Sequence, residues 1–108
     1  MNDRRYPWVI LVPRRPDISE WVDLDRADGS RLWEESMHVC HVLRQSFDGD
    51  KLNIAALGNL VSQLHVHHVL RRSDDPAWPG PVWGHSPAEP YKASELEALL
   101  AWMRSKWQ

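Results

Sequence analysis

Gln63-Leu64-His65-Val66-His67-His68-Val69-Leu70-Arg71-Arg72 is the stretch from which the rest of the chain can be organised. In an extended strand, successive side chains point to opposite faces. Gln63, His65, His67 and Val69 then share one face, and Leu64, Val66, His68 and Leu70 share the other. The second set is a core face interrupted by one histidine. The first is a polar row on a strand. Residues 61–70 therefore read as a strand. Residues 51–57 (KLNIAAL) read as the strand before it, and Gly58-Asn59 between them suggests an antiparallel pair.

Working outward, residues 6–12 (YPWVILV) form a short apolar run closed by Pro13 and read as a largely buried strand. Asn2-Asp3 ahead of it is turn chemistry with nothing before it to pair with, which leaves two expectations open: a strand lost upstream, or a start assigned late. Residues 21–47 read mainly as helix, with Asp25 or Asp28 as cap. Leu32, Trp33, Ser36, Val39, Cys40 and Leu43 recur at three- and four-residue steps as one apolar stripe. Gly49 is expected to stop that helix. Residues 71–90 hold five prolines, Pro76, Pro79, Pro81, Pro87 and Pro90, a density that neither a helix nor a central strand survives. A loop that long is functional or wraps a surface. Ser94, with Glu97 three residues on, is expected to open a last helix by a capping box, buried along Leu96, Leu99, Leu100 and Met103.

The sum is one α+β domain over residues 1–108: a small antiparallel sheet, a long helix on one face and a C-terminal helix beside it. The net charge of −2 argues against a dedicated nucleic-acid binder. Cys40 is the single cysteine, which excludes an intramolecular disulfide and fits a reducing compartment. No stretch approaches the roughly 20 apolar residues of a membrane span. The N-terminus is polar and lacks an apolar signal region, so the cytoplasm is the expected location. The seven tryptophans are expected mainly as core and interface filling.

A polar row of Gln63, His65 and His67 has a chemical use. Neutral imidazole is a good nucleophile, with an ordinary pKa of about 6.5. One ring nitrogen attacks phosphorus while the other holds its proton against a fixed acceptor. A second imidazole, about 7 Å further along the same face, serves a leaving oxygen. A covalent intermediate splits one hard displacement into two easier ones.

This segment resembles the signature of the histidine-triad superfamily, His-φ-His-φ-His-φ-φ with φ apolar, at the end of a small antiparallel sheet. The run VILVPRRPDISEWVDL followed by a long helix is similar to the family's layout, and DDPAWPGPVWG resembles the tail of a bacterial subgroup. Among bacterial members of the family it resembles the diadenosine tetraphosphate hydrolase-like ones. The resemblance implies a nucleotide hydrolase or nucleotidyl transferase acting at the α-phosphate of a dinucleoside polyphosphate or other nucleotide conjugate, through a covalent nucleotidyl-histidine. It places His65 as nucleophile and His67 as its assistant, with Gln63 at the first triad position. Asn59 contacts ribose or phosphate in this reading, and Ser62 assists. It further implies a homodimer. No metal is required for the attack, and Mg²⁺ is expected only as escort of a polyphosphate. In the family the nucleophile's second nitrogen bonds a backbone carbonyl near the first position, and a carbonyl survives substitution by Gln63. A register displaced by two residues, with His65, His67 and Val69 as the three positions, makes His67 the nucleophile instead. The first register is preferred, because Gln63 is a polar replacement and the basic residue then falls at the family's spacing.

Other signals read more plainly. His68 is expected as a hydrogen-bonded core histidine. His38 and His41 are helical neighbours while Cys40 points elsewhere, so a helix face or dimer seam is expected there rather than zinc. The triad histidines lack the carboxylate or cysteine that would complete a metal set. Arg71 and Arg72 read either as a solvated strand end or as phosphate attraction, with Arg72 taken as substrate-binding. Trp83 and His85 are candidates to close over a ligand, with packing on the sheet the alternative for Trp83. Two rival readings are a nucleotide-binding module without catalysis and a structural homodimer seamed by tryptophans.

Overall fold

The computed structural model describes residues 1–107. Three strands form one antiparallel sheet in the order β1-β3-β2: β1 is Trp8–Leu11, β2 is Lys51–Ala55 and β3 is Val66–Arg71. The helix α1, Arg26–Ser46, crosses one face, and α2, Ala93–Ser105, follows the long loop. The α+β reading therefore holds, and the β2–β3 pair is antiparallel as expected.

The central strand β3 is buried at every position. Its two faces have different covers. Val66 packs with Leu32 and Leu64, and Leu70 with Val39 and Leu43, so this face belongs to α1. Val69 on the opposite face packs with Tyr6, Ala77 and Val82, flanked by Trp8 and Trp83. The proline-rich loop thus replaces a second layer of secondary structure. Tyr6 Oη and Trp83 Nε1 are buried without a hydrogen-bond partner among the described residues, a desolvation cost borne on this side of the sheet.

Two buried Arg–Asp pairs pin the loop at its ends. Arg71 donates from Nε to Asp75 Oδ2 at 2.6 Å and from Nη2 to Oδ1 at 2.9 Å. Its Nη1 donates to Asn53 Oδ1 at 3.0 Å, and Trp78 lies against the guanidinium. Asp75 Oδ1 also accepts from the backbone of Ala77 and Trp78. Near the far end, Arg5 holds buried Asp3 and donates to Ser86 Oγ and the Pro87 carbonyl.

Several local expectations are corrected. Residues 21–47 are not one helix: Trp21–Asp23 is a short 3-10 turn, and α1 begins at Arg26 with Asp25 capping the Asp28 amide at 2.8 Å. Phe47 terminates α1. Gly49 is needed for another reason: a Cβ there would collide with the Leu70 side chain. The α2 helix starts one residue before Ser94, with Lys92 at its N-cap and no side-chain cap, so the capping box does not form. None of its residues is buried. It leans on α1 through Trp102 against Phe47, while His38 bonds the Lys106 carbonyl and meets Trp107 edge-on. No helix among the described residues is long and apolar enough to cross a membrane.

Truncation of Asp75 would strand a buried guanidinium. Asp75→Ala is expected to lower stability by about 3–5 kcal/mol, read as a drop in the urea midpoint, whereas Asp74→Ala at the exposed neighbouring pair is expected to change it by less than about 1 kcal/mol.

Candidate functional site

The site lies where β3 begins. The expected strand over residues 61–70 is shorter than its pattern: Gln63, Leu64 and His65 precede the ladder, and Val66 is its first residue. Residues 56–65 form a long connection rather than a tight turn, with Gly58 in the left-handed region at φ +69. The segment before β3 is fixed to the loop after β1. The Leu64 amide donates to the Ile18 carbonyl at 2.8 Å, and Gln63 Nε2 makes long contacts of 3.4 and 3.5 Å to the Pro13 and Arg15 carbonyls.

His65 is half-buried, and its Nδ1 lies 2.7 Å from the Gln63 carbonyl oxygen. A carbonyl only accepts, so Nδ1 carries the proton and Nε2 keeps its lone pair. His67 shows the reverse arrangement. Trp8 Nε1 lies 3.0 Å from His67 Nδ1. An indole N–H only donates, so Nδ1 accepts and the proton of neutral His67 sits on Nε2. The sheet register explains the reach: Trp8 is paired with Val69, which makes His67 its diagonal neighbour on the same face. The His65 and His67 rings stand 5.1 Å apart, and Trp83 meets His67 edge-on at 5.5 Å. Burial pushes the His67 pKa down, with His65, the Met1 ammonium and His68 adding to the shift.

His68 faces the other way, into α1, and is fully buried. Its Nδ1 donates to the Val9 carbonyl at 3.2 Å, and its Nε2 accepts from Ser36 Oγ at 2.6 Å. Burial lowers its pKa, against the pull of the Val9 and Val66 carbonyls. The core-histidine reading of His68 thus has its partners in place.

The remaining candidates scatter. Asn59 and Ser62 are exposed in the connection and make no side-chain hydrogen bond among the described residues. Arg71 is neither solvated nor free for phosphate, because Asp75 and Asn53 occupy it. Arg72 lies at the opposite end of β3 from His65, about 20 Å along the strand, and pairs with Asp74. His85 is exposed beside Ser86. Arg15 is paired with Asp28 at the rim of a groove of about 590 Å³ between the residue 12–15 loop and α1. No three His, Cys, Asp or Glu side chains among the described residues converge as a metal set. Trp8 was counted in sequence only as core filling. Its role at His67 depends on a cross-strand diagonal, for which the linear pattern carries no signal until the β1–β3 register is known.

The chain is similar to known proteins. A family model, HIT domain, matches residues 1–74. Solved histidine triad proteins are similar over almost the whole chain. One from Bradyrhizobium japonicum is 47% identical with a TM-score of 0.91, covering 98% of this chain and 79% of its own. One from Sinorhizobium meliloti is 47% identical at 0.92, covering 98% and 78%. One from Marinobacter aquaeolei is 46% identical at 0.94, covering 98% and 77%. No curated protein matches the chain.

His67 and His68 are both held neutral on folding, whereas in the unfolded chain each titrates near about 6.5. Below that pH the unfolded state binds more protons, so stability is full above it and lost as pH falls, by up to about 1.4 kcal/mol per pH unit for each group. The urea midpoint is expected to fall between about pH 7 and 5.5. The slope is expected to flatten in His68→Gln.

Proposed function

The chain belongs to the histidine-triad family, and from that membership we propose that it is a nucleotide hydrolase or nucleotidyl transferase acting at the α-phosphate of a nucleotide conjugate. The observation that carries the reading is the 2.7 Å bond from His65 Nδ1 to the Gln63 carbonyl. It leaves Nε2 as the attacking atom and supports the register in which His65 is the nucleophile. Nε2 attacks the α-phosphorus, the Nε2–P bond forms, and the bond to the leaving group breaks with its electron pair departing on that group. The nucleotidyl-imidazole keeps its Nδ1 proton and so carries a positive charge, which the same carbonyl stabilises. Water then attacks phosphorus, the P–N bond breaks, and His65 recovers its lone pair. One proton leaves with the products. An alcohol or phosphate in place of water gives transfer instead of hydrolysis.

His67, whose Nε2 carries the proton because Nδ1 accepts from Trp8, assists the leaving group in this reading. Asn59 and Ser62, exposed ahead of the strand, meet ribose or phosphate in this reading. Gln63 contributes its backbone, so its side chain is dispensable to the attack. Arg72 has no part in this reading. Mg²⁺ enters with a polyphosphate substrate rather than through a resident site. The protein works in the cytoplasm as a homodimer; the exposed Ile54, Leu57, Leu60 and Val61 in and after β2 support the pairing alone.

The test is turnover of dinucleoside polyphosphates and adenosine phosphoramidate by wild type, His65→Ala and His67→Ala. His65→Ala is expected to lower kcat by about 10⁴-fold or more and to abolish a trapped nucleotidyl-protein. Loss of that adduct through His67→Ala alone would return the nucleophile to His67. Nucleotide-dependent thermal stabilisation without turnover would leave a binding module. Gln63→Ala removes only two long contacts and is expected to retain kcat/KM within about tenfold; a loss as large as that of His65→Ala would mean the side chain, not the carbonyl, matters.

A further inference from the structure

The Trp8–His67 bond has a consequence for the kind of bond the site can break. A protonated His67 would carry N–H groups on both ring nitrogens. Its Nδ1–H would then face the Trp8 N–H across 3.0 Å, donor against donor. The ring has little room to turn away, with Trp8 at 5.7 Å, Trp83 at 5.5 Å and His65 at 5.1 Å between centroids. Trp8 is itself braced edge-on by Tyr6 and Trp83. The titratable groups acting on His67 are His65, the Met1 ammonium and His68, and each disfavours a proton there. The same Trp8 and Trp83 pack against the apolar cluster of Tyr6, Val69, Ala77 and Val82.

Resting on the nucleotidyl-transfer reading above, we propose that Trp8 is a positioning residue that holds His67 as a neutral Nε2–H donor and thereby restricts the site to anhydride-linked nucleotide conjugates. A neutral imidazole gives a hydrogen bond but is a poor proton donor. That suffices when the leaving oxygen belongs to a phosphate or polyphosphate. His65 Nε2 bonds to the α-phosphorus, the P–O bond breaks, and both electrons stay on an oxygen that departs as a stable anion, hydrogen-bonded to His67 Nε2–H. No proton need be transferred. An amide-linked conjugate differs. Its P–N bond breaks to give an amine only if the nitrogen gains a proton in the same step, and the one proton on neutral His67, the Nε2–H, is too weakly acidic to be given up.

The experiment compares kcat/KM for diadenosine tetraphosphate and adenosine 5′-phosphoramidate in wild type and in Trp8→Phe, which keeps an aromatic ring and removes the N–H. Wild type is expected to favour the anhydride by about 100-fold or more. Trp8→Phe is expected to narrow that ratio by about tenfold or more, with phosphoramidate activity rising as pH falls, because His67 can then be protonated. Equal use of both conjugates by wild type, or an unchanged ratio in Trp8→Phe, overturns the proposal. Nitrogen-15 NMR of the His67 ring supplies a readout independent of turnover. Wild type is expected to keep Nδ1 unprotonated from about pH 7.5 to 6 while Trp8→Phe titrates across that range; a protonated Nδ1 in wild type overturns the lock whatever the activities. Turnover of neither conjugate, with the tautomer as expected, overturns the nucleotidyl-transfer reading and the leaving-group selection with it, while the lock stands.

Discussion

Every side chain of β3 from Val66 to Arg71 is buried, and three of the six are ionisable: His67, His68 and Arg71. A buried polar group without a partner costs roughly 1–3 kcal/mol, more when charged. The strand is therefore tolerable only if the rest of the molecule brings partners to it. Each ionisable side chain draws on different elements. Trp8 of β1 serves His67, Ser36 of α1 and the Val9 carbonyl serve His68, and Asp75 of the loop with Asn53 of β2 serves Arg71. The polar content of one strand thus fixes the position of the two neighbouring strands, the helix and the loop. Apolar burial alone, being non-directional, would hold these elements together without setting their register so tightly.

The same requirement shapes the site. His65 stands one residue before the ladder starts. In a strand that ran on through residues 61–65, the Gln63 carbonyl would be drawn toward inter-strand bonding. Because the ladder begins at Val66, that carbonyl accepts the His65 ring proton instead. His67 is inside the ladder, so its ring must find a partner across the face, and the diagonal aromatic on β1 provides a donor. One histidine therefore presents a lone pair and the next presents a proton, two residues apart, as a consequence of where pairing begins.

Much of this was legible in the sequence. The alternation over residues 63–70 separated the two faces correctly, since Leu64, Val66, His68 and Leu70 all turn to α1, and the apolar stripe through Leu32, Ser36, Val39 and Leu43 is the surface they meet. The polar-row reading was less complete. Val69 and His67 are also buried, because a loop with no periodicity covers that face, and a proline-rich segment announces that it is irregular without saying what lies beneath it. Arg71 and Arg72 look alike in sequence. They differ because side chains alternate: one points under the loop to Asp75 and the other into solvent beside Asp74. The leucines of α2 read as a buried stripe, yet the helix docks by Trp102 on Phe47 and, just past its end, by the Lys106 carbonyl on His38, contacts decided by α1 rather than by its own pattern.

Gln63 meets His65 through the backbone. The group bonded to His65 Nδ1 is a carbonyl, which any residue supplies, so long as residues 63–65 keep the turn that brings that oxygen to the ring. The turn is held by the Leu64 amide on the Ile18 carbonyl and by Leu64 itself packed with Leu32 and Val66. Those interactions involve the main chain and an apolar side chain, and none requires histidine at position 63. What the glutamine side chain adds is contact with the Pro13 and Arg15 carbonyls at 3.4 and 3.5 Å, at the outer limit of a hydrogen bond. The geometry that fixes the His65 ring therefore resides in the fold of the segment, and the identity of residue 63 bears mainly on how that segment meets the loop after β1.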